Sequence, residues 1–411
     1  MSGARDPHDA AHALRVAFAL ALGSAIALGL GRFSYALLLQ PMRDDLGWSY
    51  LTAGAMNTVN AAGYLVGALL APRWLARYDA RAILLAGGVA ASLLLVAHGV
   101  VLADAPLYAL RLLTGVASAA LFVSGGVLAA RLGAAHASRA GLLLGIFYGG
   151  TGLGIVASAL LVPPLLALGV AHAWQWAWVA LGVAAALSTF AMSAPTRPLA
   201  AKPVPRDPAH GGFEWRPFSF GLAGYFMFGI GYIGYMTFVI ALLREQGLGH
   251  GQTIAFFVLL GAGVVASSWL WAGVLQRARG GEALALLNAL LAVATVLPVF
   301  SAHPVAVFVS GALFGSVFLS LVASTTALVR HNLPASLWAG GIAAFTIVFA
   351  FGQIVGPSVV GWIADAAGGL QRGLGFSALA LALGAVLAFR QRPLRRAGED
   401  NHRRQRKEEP G

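Results

Sequence analysis

The sequence predicts an all-α membrane protein with twelve transmembrane helices in two six-helix halves. Three observations predict it. Of 411 residues, 59% are hydrophobic and only 10% charged, and mean hydropathy is +0.78. A water-soluble chain carries about 25% charged residues, so this one could not clothe a surface that faces water. Twelve stretches reach the roughly 20 mostly apolar residues that a bilayer crossing requires. The first six of these stretches resemble the last six at one constant offset. Soluble enzymes, disordered chains and fibrous proteins are thereby excluded. The absence of cysteine excludes disulfides, thiolate catalysis and cysteine-based metal centres; no metal or cofactor is expected.

The spans fall at about 14–40, 50–72, 82–103, 106–130, 140–168, 173–194, 217–243, 253–276, 282–302, 304–329, 336–364 and 373–390. No small-residue cleavage site follows the first apolar core, so that span is expected to be retained. Glycine and proline inside the spans are tolerated, because neighbouring helices satisfy freed backbone groups. The stretch Pro195 to Pro217 is rich in proline and charge and reads as a linker. The expected organisation is an N-terminal bundle 1–194, a linker 195–216, a C-terminal bundle 217–390 and a basic tail 391–411.

Lysine and arginine orient the spans. With the N-terminus inside, 22 of the 27 fall on the cytoplasmic side, three (Arg43, Arg244, Arg372) outside, and two (Arg32, Arg111) within spans. This is a strong positive-inside bias. It predicts a multi-pass membrane protein with both termini in the cytoplasm. It also explains the pI of 10.8 without nucleic acid: the tail arginines are suited to anionic lipid headgroups.

The offset between the halves is 200 residues. Gly29-Leu30-Gly31-Arg32-Phe33-Ser34-Tyr35 aligns with Gly229-Ile230-Gly231-Tyr232-Ile233-Gly234-Tyr235. The same offset pairs Leu75 with Leu275, Arg77 with Arg277, Leu113 with Leu313, Gly115 with Gly315, Gly141 with Gly341 and Gly152 with Gly352. Parallel repeats of this kind build transporters whose substrate sits near the midplane between the halves.

Twelve spans, a 6+6 repeat and a central linker resemble the major facilitator superfamily. Arg111-Leu112-Leu113-Thr114-Gly115 is similar to its Arg-x-x-x-Gly motif in the fourth span, and Gly145 to Gly154 to its glycine-rich fifth span without the Gly-Pro pair of antiporters. The loop after the second span, Ala76-Arg77-Tyr78-Asp79-Ala80-Arg81, keeps the arginines of the superfamily motif but has Ala76 and Asp79 where it has Asp and Gly. More narrowly, Gly31 to Tyr35, Met56 to Leu65 and Gly229 to Phe238 resemble the bacterial YbfB-like transporters. The resemblance implies the major facilitator fold, solute transport by alternating access, and a central cavity lined by the first and fourth spans. It implies no substrate.

A charge at the bilayer centre costs at least about 2.5–3.5 kcal/mol. Arg32 lies eight residues before Gln40, which at 1.5 Å per residue is about 12 Å from the span end. It reads either as an anion-coordinating guanidinium or as a structural group bonded to broken backbone around Gly29 and Gly31. Arg111 is shallower and reads as its helper or as a packing residue. All 15 Asp and Glu lie in loops, tails or span ends, so no carboxylate is expected mid-membrane to neutralise the arginines. An anionic solute would supply that charge. A coupled proton has no evident carrier, since His98 lies in the peripheral third span and reads as packed.

Tyr35, Tyr232 and Tyr235 on the repeated motif, Tyr148, and the amides Asn57, Asn60 and Gln353 complete the candidate substrate-binding set with Arg32 and Arg111; no residue is assigned to catalysis. Each also reads as an interhelical hydrogen bond. Trp48, Trp174, Trp176 and Trp178 lie at span ends, as interface anchors do. The expected function is secondary active transport of a small organic anion by a monomer. The alternative is efflux of amphipathic drugs or toxicants. An intramembrane enzyme would need paired acids or a Ser–His pair, and neither is visible.

Overall fold

A computed structural model describes residues 7–199, 213–366 and 368–394. Twelve helices cross its length. The first, α1, joins Pro7–Ser24, a π-helical segment Ala25–Phe33 and Tyr35–Leu46. There follow α2 Tyr50–Arg77, α3 Ala80–His98, α4 Asp104–Ala135, α5 Ala140–Leu166 and α6 Ala173–Ser193. The second half comprises α7 Ser219–Glu245, α8 His250–Leu270, α9 Glu282–Phe300, α10 Pro304–Asn332, α11 Trp338–Asp365 and α12 Gly369–Phe389, with a short helix Ala272–Arg277 after α8. Among the described residues there is no strand. The expected linker and tail lie largely outside them.

Eleven of the helices are long and apolar enough to cross a membrane. The twelfth, α2, carries Asn57, Thr58 and Asn60. It packs between α4 and α11, which gives those polar groups protein neighbours. Helix ends fall within a turn or two of the expected spans, the main differences being charged turns beyond the apolar core, as at Arg73–Arg77.

The repeat is visible in the packing. A Cβ on Gly115 would overlap the carbonyl oxygen of Asn60, and one on Gly315 would overlap that of Leu260. Both partners of this close approach, α4 on α2 and α10 on α8, are therefore offset by 200 residues. Small residues let membrane helices approach this closely.

The helix connections gather at two ends, one bearing Pro7 and Leu394, where the described chain starts and stops, and one far from them. At the far end Trp48 Nε1 donates to Asp104 (2.9 Å), and His172 and Trp174 bond Asp45 Oδ2 at 2.6 and 2.5 Å. The halves meet here as well. The Tyr50 and Leu51 amides at the start of α2 donate to the Asp365 carboxylate at the end of α11 (2.7 and 2.8 Å), and the Tyr50 hydroxyl donates to Glu245 of α7. Deeper, Thr58 donates to Ile354 O at 2.8 Å. At the termini end Gln391 ties the start of α7 to the chain after α12, accepting from the Gly221 amide (3.0 Å) and donating to Pro217 O (3.0 Å).

Candidate functional site

Midway along α1 the winding loosens. The π-helical residues Ala25–Phe33 are all buried, and the Ser34 amide reaches back to Gly29 O at 3.0 Å. Such segments occur often at functional sites. Gly29 is required here by close approach: its Cβ would meet the backbone of Gly154 in α5. Side chains reach carbonyls of this segment. Ser158 donates to Gly29 O (3.3 Å), Ser34 to Leu30 O (2.6 Å) and Arg111 to Gly31 O (2.9 Å).

Arg111 is fully buried. Its Nη1 serves Gly31 O, and its Nη2 donates to Asn57 Oδ1 at 2.9 Å. Its guanidinium lies over the rings of Tyr35 and Trp178, 5.0 and 5.5 Å from their centroids. Asn57 in turn donates to Thr237 Oγ1 of α7 (2.8 Å), and Asn60 donates to Arg111 O (3.0 Å). The Tyr35 hydroxyl donates to Ala53 O at 2.8 Å. Four expected site residues, Arg111, Tyr35, Asn57 and Asn60, thus form one network binding α1, α2, α4 and α7 together.

Trp178, expected among the interface tryptophans, is instead buried in this network and stacks on His98 at 4.6 Å. An apolar span end gave no sign that its indole turns inward. His98 is buried, with Nδ1 on Leu94 O at 2.7 Å.

Arg32 differs. It is 2% exposed, yet its Nε and Nη2 are buried with no hydrogen-bond partner. The nearest ring is Tyr64 of α2, 5.9 Å from the guanidinium carbon, and the Arg32 charge also acts on Tyr232 and Arg111. Tyr64 lies in turn within electrostatic reach of Tyr148 and Tyr232. Tyr148 is 40% exposed and packs against Phe122 and Phe147. Arg32 thus lies beside Tyr64, in the same region as Tyr148 and Tyr232. Gln353 is buried on α11. Tyr235 lies apart, bonded to Ser310 Oγ (2.6 Å) and stacked on Phe314 at 4.0 Å.

Every Asp and Glu of the described residues stands in the first or last turn of a helix or in a connection. Among those residues no group of three or more His, Cys, Asp or Glu could hold a metal ion.

Sequence reasoning missed the aromatic wall facing Arg32 from the second half. Phe228, Phe318 and Phe349 surround Tyr232 at 4.7, 5.1 and 5.4 Å. The i, i+4 spacing of Phe228 with Tyr232, Phe314 with Phe318 and Phe345 with Phe349 was the available signal.

Twelve helices in two halves meeting around buried, non-acidic polar groups define a multi-pass solute transporter of the major facilitator superfamily. The chain belongs to the family described as the uncharacterised MFS-type transporter YbfB, whose model matches residues 24–389. It is a transporter of a small-molecule solute across a membrane and not an enzyme. Its fold is similar to a bacterial homolog of the human lysosomal transporter Spinster in an inward-facing, unoccupied conformation, at 15% identity over 93% of this chain and 97% of that one, with TM-score 0.69. It is also similar to the nucleoside transporter NupG, at 13% identity over 93% and 98%, with TM-score 0.66. No curated protein matches the chain.

Proposed function

We propose that the protein is a secondary active transporter of a small organic anion, and that Arg32 holds the anionic end. One observation carries this reading: two buried N–H groups of Arg32 have no partner, in spans whose acids all stand at helix ends. A buried unpaired donor costs about 1–3 kcal/mol, more when charged, so the arrangement favours a ligand that brings acceptors and negative charge. Arg111 assists by fixing the π segment from which Arg32 projects, and the Tyr64 ring lies beside the charge at 5.9 Å. The bundles 1–194 and 217–390 rock against each other around this site. The lysine and arginine bias supports cytoplasmic termini in a bacterial inner membrane. The contacts of Asp365 and Glu245 then close the outer side, in keeping with an inward-facing state. No side chain at the site suggests how a proton would be carried, and the reading needs only a monomer.

The test is thermal stabilisation of the purified protein by two probe sets, small carboxylates and lipophilic cations such as tetraphenylphosphonium. Carboxylates are expected to raise the melting temperature, and Arg32→Ala to abolish that rise while melting normally when empty. Stabilisation by the cations that survives in Arg32→Ala would instead favour efflux of amphipathic drugs.

A further inference from the structure

The two halves are built alike but furnished differently at equivalent positions. Where the first half has Arg32, the second has Tyr232. Where the first has Arg111, the second has Gly311, whose missing side chain leaves room for the ring of Phe256. The cations thus belong to one half, and the facing part of the other half is aromatic. Phe33, next to Arg32, meets Phe318 of that wall edge-on at 5.6 Å. Tyr64, beside the charge at 5.9 Å, and Phe349, which stacks on Tyr232 at 5.4 Å, are only partly buried, and Tyr148 is exposed; these rings come from helices of both halves.

The free donors of Arg32 are also specific. Nε and Nη2 lie on the same edge of the guanidinium, the edge that meets the two oxygens of a planar carboxylate side-on. Arg111 is engaged differently: its two terminal nitrogens already donate to Gly31 O and Asn57 Oδ1, and only its Nε is without a partner, so Arg32 alone has two adjacent unpartnered nitrogens on one edge among these two residues. From this we infer that the solute is an aromatic monocarboxylate. Its carboxylate lies along the Nε–Nη2 edge of Arg32, and its ring packs among Tyr64, Tyr148 and Phe349. The inference rests on the anion reading and adds the flat apolar body and the single charge. A dicarboxylate would have no second free guanidinium edge, and an aliphatic acid would leave the aromatic faces without a matching partner.

The experiment measures binding of four probes to the full-length protein in nanodiscs: benzoate, cyclohexanecarboxylate, phthalate and benzamide. Benzoate is expected to bind about tenfold more tightly than cyclohexanecarboxylate, a factor worth about 1.4 kcal/mol and within the range of an aromatic pair. Phthalate and benzamide are expected to bind more weakly than benzoate. Phe349→Leu should remove the preference for benzoate over cyclohexanecarboxylate. Tyr64→Leu is the second variant should Phe349→Leu not fold. Equal binding of the two monocarboxylates, unaltered by either variant, would overturn the aromatic assignment and leave the anion reading standing. Phthalate binding more tightly than benzoate would overturn the single-charge assignment. Benzamide binding as tightly as benzoate, or no binding by any carboxylate, would remove the anion reading itself.

Discussion

Arg32 and Arg111 are both buried guanidiniums in apolar spans, but they differ in what their nitrogens touch. Arg111 satisfies Gly31 O and Asn57 Oδ1. Removing it strands both acceptors, and each stranded buried group costs about 1–3 kcal/mol. Arg111→Met is therefore expected to lower unfolding stability by about 2–4 kcal/mol, read from thermal melts of purified protein. Arg32→Met removes a charge that no protein group compensates, so its melt should be unchanged or higher. A loss equal to that of Arg111→Met would make Arg32 a structural residue. Both arginines were legible in the sequence, because a charge in an apolar span stands out by its cost. The division of labour between them was not. It depends on which of them reaches the Gly31 carbonyl across the α1–α4 contact, and residue types carry no information on that. His98 was legible as packed; its stacking partner Trp178 was not, since span-end position alone favours the interface.

At the scale of helices, hydropathy and length located all twelve elements, and of the glycines at constant offset Gly115 and Gly315 turn out to mark the same close helix contact in each half. The π segment was foreseeable only in part: Gly29 and Gly31 suggested broken backbone beside Arg32, but nothing in Ala25–Phe33 specified a π-helical winding over nine residues. Its tight packing is testable. Gly154 lies against the backbone of Ala25 and Gly29, so Gly154→Ala is expected to destabilise by about 1–3 kcal/mol, as overpacking does. A Cβ on Gly141, near the start of the same helix, would meet nothing within 4 Å. Gly141→Ala should leave stability unchanged or raise it, by up to about 1 kcal/mol of helix propensity. Thermal melts of the two variants side by side check the contrast, and equal melts would show that α5 does not depend on that close approach.

At the scale of the molecule, the halves are latched at the end far from the termini by Asp365 on the α2 amides and by Tyr50 on Glu245. The positions of these acids at span ends were visible in the sequence; their partners, some 200 to 300 residues away, were not. Asp365→Ala should weaken the latch. Because the chain has no cysteine, Thr58→Cys supplies a single reporter where α2 meets α11. With the termini in the cytoplasm, a membrane-impermeant maleimide added to intact cells is expected to label this cysteine several-fold faster in the Asp365→Ala background; equal rates would show that the latch does not hold the outer side shut. The unmatched charge of Arg32 has an electrical consequence. Binding a monoanion takes one unit of positive charge off the moving site, and a membrane potential acts on charge at about 2.3 kcal/mol per elementary charge per 100 mV. Voltage therefore weighs differently on the loaded and the empty carrier, and on the proposed reading more of the electrical work of each turnover falls on the empty carrier's return.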